Sequence, residues 1–451
     1  MALSGLDIFK LLPKTNCKKC GRPTCLAFAM QLAQKKANIE ECPDVSEEAK
    51  AALAGAAAPP IRKVTLGGDG RAFTVGEETV LFRHESKFFN PAGVAVTVDD
   101  ALDAAGLTAR VERINKLSFV RVGVTIQVDM VAVRNVSGKA EPFAAAAKAV
   151  AGATKLAMML VSDSPENMKA AVAACASRAP LIHAATPANF AAMAAIAKEK
   201  KCPLVAKAPD LEALAALAPQ IKSAGIEDVL LDLTMGDIRS TVEALTTVRR
   251  AALKKNFRPL GYPAVVFAMR DDPFEEVAFA STVMAKYAGV IIMSCTEPWQ
   301  ILPVLTVRQN IYTDPQKPIQ VEPKLYAIRD PGKDAPLMFT TNFSLTYYSV
   351  EGEVEASRVP SWILAVDTEG TSVLTAYSGD KLNEKVVAKA MQAAKVEEKV
   401  KHKKLIIPGH VAVLSGKLEE ETGWEVLVGP KEASMLPTYL KTIWPQHAPK
   451  N

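Results

Sequence analysis

The sequence predicts an α/β protein that joins a small N-terminal cysteine module, a central (β/α)8 TIM barrel and a C-terminal doubly wound, Rossmann-like domain. Three observations predict this class. Four of the seven cysteines fall within the first 42 residues. Short apolar runs then alternate with Ala-rich amphipathic stretches over roughly 220 residues, the length of a typical barrel. A second alternation of predicted strands and helices begins after a proline-rich stretch.

The cysteine module is defined by the spacing C-x2-C-x4-C-x16-C, and Pro43 follows its last cysteine. Its members are Cys17, Cys20, Cys25 and Cys42. Four thiolates in one short segment are the ligand set of a 4Fe–4S cluster, and a proline after the last cysteine is typical of ferredoxins. A predicted helix over Leu26–Ile39 returns Cys42 to the other three. Its predicted apolar face contains Leu26, Ala29, Met30, Ala33 and Ala37. We therefore predict a 4Fe–4S module over residues 1–57.

Two other uses of the cysteines compete with a cluster. A structural zinc site usually contains two C-x2-C pairs, and this segment has one. A disulfide framework is expected in secreted proteins, and the first residues lack the charged-then-apolar pattern of a signal peptide. The sequence therefore favours a cluster and a cytoplasmic location, with zinc as the alternative.

Composition limits the function classes. The 451 residues are 49% hydrophobic and 23% charged, with a net charge of +5. This balance predicts large cores and, without a concentrated basic stripe, gives no support to nucleic-acid binding. The longest apolar runs are too short to span a bilayer, so no membrane partner is expected. Cys175, Cys202 and Cys295 occur singly among apolar residues and are predicted to be buried hydrophobes.

The barrel is predicted over residues 58–313. An Ala-rich stretch over 51–60 reads as a flexible hinge, and Ile61–Arg83 as a hairpin before the barrel. Helices with Pro or Asp near the first turn follow most strands. The eight predicted strands are Val94–Val98, Val120–Val128, Leu156–Val161, Leu181–Ala184, Pro203–Ala206, Val229–Leu233, Ala264–Phe267 and Val290–Met293.

Barrel enzymes place catalytic groups at the carboxyl ends of their strands. The polar residues at these ends form no recognisable catalytic motif; they are Asp99, Ser162, Asp163, His183, Asp232 and Ser294. Asp99 and Asp163 lie where helix N-caps are expected. His183 has the chemistry of a general base, but a structural histidine is the favoured interpretation. The barrel is therefore predicted to be mainly a scaffold.

Five prolines predict a semi-rigid linker over residues 314–336, followed by the last domain over residues 337–451. Its predicted strands are Leu337–Thr340, Trp362–Val366, Lys404–Ile407 and Glu425–Val428. Each ends in a small, hydroxyl- or glycine-rich turn, and in a parallel sheet such turns lie on one ligand-binding edge. A large flat ligand with amide and phosphate groups fits this pattern; ordinary strand–helix turns are the alternative.

Four stretches resemble a known family: residues 16–25 (NCKKCGRPTC), 340–346 (TTNFSLT), 367–374 (DTEGTSVL) and 408–415 (PGHVAVLS). The chain resembles, over its whole length, the large (gamma) subunit of the corrinoid iron–sulfur proteins of the reductive acetyl-CoA pathway. The resemblance implies that the last domain is a corrinoid-binding domain. The implied pocket residues are Thr340, Thr346, Gly370, Thr371, Ser372, Val373 and Leu436, with residues around Gly409 and Pro437 beside them.

The resemblance also implies a function and partners. Cobalt as Co(I) would accept the methyl group of methyltetrahydrofolate from a separate methyltransferase and pass it on to acetyl-CoA synthase/CO dehydrogenase. A smaller barrel subunit would complete a heterodimer. A reductive activator would be a further partner, and the 4Fe–4S cluster would return an electron to Co(II) to give Co(I). Lys18, Lys19 and Arg22 would raise its potential or dock an acidic donor, unless they form a solvated face.

Co(I) prefers no axial ligand, and the chain lacks the D-x-H-x-x-G motif that supplies a histidine ligand in many cobalamin proteins. His410 is the histidine near the implied pocket, and its Pro-Gly-His turn predicts a helix start rather than a ligand. A base-off corrinoid is therefore expected. Two alternatives remain. The barrel could bind the folate, although Asp99, Asn115 and Asp232 are a thin set for a pterin site; or the chain could transfer electrons without a corrinoid.

Overall fold

The structure is a computed structural model. It describes residues 5–33, 37–46, 49–50, 53, 59–314 and 318–449. Most of the predicted hinge over 51–60, and with it the predicted 57/58 boundary, lies outside the described residues. The chain divides into two compact units, which we describe separately. One comprises Met1–Phe119 and Ile126–Tyr312, and the other Val120–Thr125 and Thr313–Asn451.

The cysteine module contains the helices Gly5–Leu11 and Cys25–Ala33 and a 3-10 turn, Ile39–Glu41. Its small core brings two of the cysteines together with apolar side chains from both helices; the members include Ile8, Leu12, Cys25, Phe28, Ala29, Cys42 and Val45. The predicted buried face was wrong in part, because Leu26 is 40% and Met30 50% exposed. Ala29 of the predicted face is buried, but it is joined by Cys25 and Phe28, so the buried face is rotated toward the cysteine side.

A β-hairpin and a closed barrel follow the module. The hairpin strands are β1 (Val64–Leu66) and β2 (Phe73–Val75). Eight parallel strands close the barrel, with β12 pairing to β3. They are β3 (Gly93–Asp99), β6 (Met130–Arg134), β7 (Ala157–Val161), β8 (Leu181–Ala185), β9 (Leu204–Ala206), β10 (Val229–Asp232), β11 (Ala264–Phe267) and β12 (Ala288–Met293). The predicted hairpin and (β/α)8 architecture are confirmed.

Two cores stabilise the barrel. The inner core combines barrel-facing side chains such as Met130 and Leu230 with the hairpin residues Val64, Leu66 and Val75. The outer core lies between the strands and the helices. The hairpin covers the amino-terminal ends of the strands, because its tip bonds to the residues just before β7 and β8. The helices are Ala104–Asn115, Ala140–Ala153, Pro165–Ala174, Phe190–Lys200, Leu211–Ser223, Ile238–Lys255, Pro273–Ala285 and Pro298–Ile311.

One predicted barrel strand was wrong. The run Val120–Val128 forms two strands of a hairpin, β4 (Ser118–Arg121) and β5 (Val124–Gln127), and the barrel strand is the next run, β6. Val122 and Gly123 both adopt positive φ, 53° and 68°. Two consecutive left-handed residues reverse the chain in a tight hairpin turn, so a continuous strand is impossible there.

The second unit contains a five-stranded sheet of order β13-β15-β14-β16-β17. Its strands are β13 (Leu325–Ile328), β14 (Leu337–Thr341), β15 (Ser361–Val366), β16 (Lys404–Ile407) and β17 (Glu425–Val428). Four run parallel and β13 is antiparallel. The helices are Ser344–Ser357, Val373–Ser378, Glu384–Ala393, Val396–Lys399, Ser415–Thr422, Leu436–Thr442 and Trp444–His447.

Alternate residues of each central strand enter different cores. Phe339 of β14 packs on one side of the sheet and Met338 on the other, and Ile407 and Ile406 of β16 divide likewise. Helices therefore cover both faces, which confirms the predicted doubly wound domain. The prediction that residues 314–336 form only a linker was wrong, since β13 lies within them. Prolines flank this short edge strand rather than interrupt it, a position that a sheet tolerates.

Candidate functional site: a pocket at the carboxyl edge of the second sheet

An open pocket of about 360 Å³ lies at the carboxyl edge of the five-stranded sheet. The turns that follow β14, β15, β16 and β17 all contribute to it. Its lining residues are Met338, Phe339, Thr340, Leu345, Thr346, Ser349, Val350, Ser372, Val373, Leu374, Ile406, Ile407, Pro408, His410, Gly429, Pro430, Lys431, Ala433 and Leu436. Ligands of open α/β sheets bind at this edge, where helix N-termini present free N–H groups.

The structure brings five of the seven predicted pocket residues together: Thr340, Thr346, Ser372, Val373 and Leu436. Gly370 and Thr371 lie in the adjoining loop and do not line the pocket. Neither Gly409 nor Pro437 lines it, although their sequence neighbours Pro408 and Leu436 do. The assignment of these residues to a ligand stays a prediction.

Sequence reasoning missed part of the lining. Leu345 and Leu374 lie in the first turns of the helices Ser344–Ser357 and Val373–Ser378, each about half exposed. Met338 and Ile406 reach the pocket from the sheet face itself. A search for hydroxyl and glycine turns passes over such apolar residues, although a pocket for a flat ligand is mostly apolar.

Thr340 gives the pocket an unsatisfied polar group. Its side chain is 1% exposed, and its Oγ1 has no hydrogen-bond partner. The adjacent Thr341 Oγ1, also without a partner, belongs to a side chain that does not line the pocket. A buried hydroxyl without a partner is costly, and buried hydroxyls normally find one. A polar ligand in the pocket would supply the partner of Thr340, so the residues present fit a ligand with amide groups.

His410 lines the pocket as the sequence predicted. Its side chain is 36% exposed, and its Nε2 lies 3.9 Å from Glu432 Oε1. Lys431 of the same rim provides a positive charge. Both groups lie on turns after strands, where their side chains adjoin solvent.

The four cysteines of the module differ in exposure. Cys17 is exposed, Cys20 intermediate, and Cys25 and Cys42 are buried. Burial raises the pKa of the Cys42 thiol, and the nearby charges of the other three cysteines raise it further. The Asn16 backbone N–H donates to Cys25 Sγ at 3.4 Å. In the part of the chain that the structure describes, no three Cys, His, Asp or Glu side chains are close enough to bind one metal ion.

The basic residues beside the cysteines have acidic or polar partners. Lys19 Nζ lies 2.9 Å from Asp44 Oδ1. Arg22 donates to Gln31 and lies 3.5 Å from Glu41 Oε2. Lys19 and Arg22 are therefore paired with acidic residues of the module itself. This pairing reduces their electrostatic attraction for an acidic partner protein.

Most of the polar residues named at the barrel strand ends have side-chain partners. Asp99 forms a two-pronged ion pair with Arg134, at 2.6 and 2.7 Å. The N-cap prediction for Asp99 and Asp163 was wrong. Asp103 and Ser164 cap the helices instead, accepting from the Gly106 and Asn167 N–H groups. The first cap lies four residues after the position predicted for it, and the second lies one residue after.

His183 and Asp232 form a buried pair, with Nε2 and Oδ2 2.9 Å apart. Burial favours a raised pKa for Asp232, but the hydrogen bond and charge of His183 and the bonds from Thr234 outweigh it and lower that pKa. His183 Nδ1 is buried and has no partner. The pair has the residue types of an acid–base dyad, yet both side chains are about 95% buried, which favours a structural role.

The three remaining cysteines are buried, as predicted. Burial raises the pKa of Cys175 and Cys295 to about 12 and of Cys202 to about 11. These thiols stay protonated at neutral pH and behave as small apolar groups. Within the described residues, no helix has the length and apolar character needed to cross a membrane.

The fold and site define a class of proteins that combine a four-cysteine module, a (β/α)8 barrel and a doubly wound domain with an open pocket at its carboxyl edge. Two family models match the chain, one over the cysteine module and one over most of the remainder. The model described as "CO dehydrogenase/acetyl-CoA synthase delta subunit" matches residues 63–440, and the one described as "Putative Fe-S cluster" matches residues 12–43.

Similar proteins match along nearly the whole chain. The corrinoid/iron-sulfur protein large subunit of Moorella thermoacetica is 47% identical over 96% of this chain and 97% of its own length. The gamma subunit of the acetyl-CoA decarbonylase/synthase complex of Methanothermobacter thermautotrophicus is 38% identical over 98% of this chain and 99% of its own. This chain therefore belongs to the family of these large and gamma subunits.

Proposed function

We propose that this chain carries methyl groups in acetyl-CoA synthesis, with a corrinoid held at the carboxyl-edge pocket and a 4Fe–4S cluster held by the four cysteines. The observation that carries the proposal is the pocket itself, which is largely apolar and contains the unpartnered hydroxyl of Thr340. The names of the similar large subunit and its family support it.

The chain's own residues would hold the corrinoid from one side. The apolar lining residues Leu345, Leu374 and Leu436 would contact the flat ring. Thr340 and Ser372 would hydrogen-bond to its amide substituents, and Gly370 and Thr371 would shape the loop beneath them. When bound, the corrinoid supplies a cobalt nucleophile that accepts a methyl group and gives it up again.

We propose that no residue of this chain coordinates the cobalt. His410 lies at the rim, with its Nε2 3.9 Å from Oε1 of the exposed Glu432. The sequence also lacks the D-x-H-x-x-G motif. A base-off corrinoid is therefore the expected form, and it favours the reduced metal.

The cysteine module would hold the cluster. Two buried and two more accessible thiols, with an N–H group directed at Cys25 Sγ, provide four ligands and a hydrogen bond that tunes the potential. The cluster would return an electron to cobalt that has been oxidised. The proposed partners are a small corrinoid protein subunit, a methyltetrahydrofolate methyltransferase, acetyl-CoA synthase/CO dehydrogenase and a reductive activator.

Metal and pigment analysis of the full chain, purified without oxygen, tests the proposal. We expect about four iron atoms and one cobalt per chain, with a broad visible absorption that bleaches on reduction. The Co(II) spectrum should show no histidine nitrogen at the metal. Iron without cobalt would leave an electron carrier and overturn the methyl-carrier function. Zinc without iron would overturn the cluster.

A further inference from the structure

The loop after β15, residues 367–372, presents Ser372 to the pocket and contains Gly370 and Thr371. Its backbone is unusual, because Glu369 and Gly370 both adopt positive φ, 56° and 72°. Gly370 adopts this conformation readily, but Glu369, as a non-glycine residue, seldom does, so hydrogen bonds that hold the loop in this shape are of interest. The structure shows which residues provide these hydrogen bonds.

Asn342 holds the loop from the neighbouring strand. It is the first residue after β14 and is completely buried. Its Oδ1 accepts the backbone N–H groups of Thr368, at 3.0 Å, and Gly370, at 3.1 Å. Its Nδ2 donates to Asp367 Oδ1 at 3.1 Å. One amide side chain therefore binds the beginning and the middle of the loop.

A second residue extends this network to the segment that precedes the sheet. Asn342 Nδ2 also donates to Gln320 Oε1, at 3.2 Å. The backbone around Gln320 pairs with the β14 turn, since Val321 N–H donates to Asn342 O and Ser344 N–H to Ile319 O, both at 2.9 Å. A Cβ atom on Gly370 would come within 2.6 Å of Gln320 Cγ. Gln320 therefore packs against the loop at Gly370.

We propose that Asn342 is the positioning residue for the corrinoid-binding loop, and that Gln320 couples the chain segment 319–321 to it. The inference rests on the proposed function for its ligand, although the loop geometry stands without one. An amide is required, because Asn342 donates and accepts at the same time. Neither a hydrocarbon nor a hydroxyl side chain provides two donors and an acceptor in this plane.

The first test measures hydrogen exchange of the loop amides in the ligand-free chain. Hydrogen exchange of the Thr368 and Gly370 amides should become at least about tenfold faster in Asn342→Ala than in the unchanged chain, because both lose their acceptor. Asn383→Ala is the matched control. Asn383 caps the helix Glu384–Ala393 through the Val386 N–H at 3.0 Å and lies outside the pocket lining. It should lower the melting temperature and leave the loop amides unchanged.

The second test measures affinity for hydroxocobalamin by absorbance titration of the full chain, below the melting temperature of each variant. Asn342→Ala should bind about tenfold more weakly or worse, and Asn383→Ala within about twofold of the unchanged chain. Gln320→Ala, at an exposed residue, should weaken binding by a smaller factor than Asn342→Ala.

A pair of conservative variants separates positioning from general destabilisation. The Thr368 hydroxyl donates to Thr371 O at 2.9 Å within the same loop. Thr368→Val should weaken binding, and Thr368→Ser, which keeps the hydroxyl, should restore it. Loop amides that exchange at the original rate in Asn342→Ala would overturn the inference. Failure of the unchanged chain to bind the corrinoid would instead overturn the proposed function and leave the exchange test to decide the role of Asn342.

Discussion

At the scale of single residues, the pocket contains a polar group that its own structure leaves without a partner. Thr340 Oγ1 is buried and unbonded, as is Thr341 Oγ1 one residue later along β14. Successive strand residues point to opposite faces, so only the first can meet a ligand in the pocket. The two hydroxyls therefore form a matched pair within one strand.

We predict that Thr340→Val leaves the ligand-free chain as stable as before or raises its free energy of unfolding by about 1 kcal/mol, since a lone buried hydroxyl is replaced by a methyl of similar shape. The same change should weaken hydroxocobalamin binding about fivefold. Urea denaturation and absorbance titration measure the two effects. Thr341→Val should match the change in stability and leave the affinity unchanged; equal losses of affinity in both variants would contradict the assignment.

Ser372 and Thr346 line the pocket, and the family resemblance implied both. Turn chemistry alone predicted a ligand-binding edge of the sheet, not the residues that line it. It could not identify Asn342 as a loop support, because an asparagine after a strand also fits an ordinary turn. Only the fold brings its amide against Thr368 and Gly370, which are 26 and 28 residues away.

At the scale of secondary structure, apolar runs predicted seven of the eight barrel strands, because each is buried on both faces. The eighth prediction failed at Val122-Gly123, where the chain turns. An apolar pattern does not predict the φ angles of a turn. The strand β13 was missed because it lies in a stretch that was predicted to be a linker. Pro318, Pro323 and Pro331 give its surroundings a linker composition, although the four residues Leu325–Ile328 contain none.

The helix Ile238–Lys255 allows a prediction on pH. Asp237 is its N-cap, and the bonds from the Ser240 N–H, at 2.8 Å, and hydroxyl lower the Asp237 pKa below its usual value. A carboxylate with a lowered folded-state pKa stabilises the fold above its unfolded pKa, near 3.9, and this contribution is lost as the pH falls through the lowered value.

We therefore expect protection of the Ser240 amide to decline below about pH 4 in the unchanged chain. Asp237→Asn keeps a capping oxygen and does not titrate, so its Ser240 protection should lack this decline. Hydrogen exchange by NMR between pH 3 and pH 6, the interval around that pKa, compares the two chains. Parallel declines in both would show that another group controls this helix end.

At the scale of the whole molecule, the four cysteines and the pocket lie in different units of the chain. The cysteine module has its own small core, and the pocket domain has two cores of its own, on either side of its sheet. The core of the cysteine module shares no residue with the two cores of the pocket domain. Mutations in such separate sites are expected to have additive effects, so cluster and pocket can be changed one at a time.

We predict that Cys20→Ala removes the cluster, keeps the affinity for hydroxocobalamin within about twofold, and abolishes the reductive return of Co(II) to Co(I). Methyl transfer from preformed Co(I) should continue, because the electron has already been delivered. The measurements are iron content, absorbance titration, and the rate of Co(I) formation with the natural electron donor.

Cys175→Ala is the matched control for this experiment. Cys175 is buried in the barrel, burial raises its pKa to about 12, and its Sγ donates to Ala171 O. Removing this thiol should leave the iron content, affinity and reduction rate unchanged. Undiminished reduction in Cys20→Ala would exclude the cluster as the electron route. A large loss of corrinoid affinity in the same variant would show that the two sites depend on each other, against the separation of their cores.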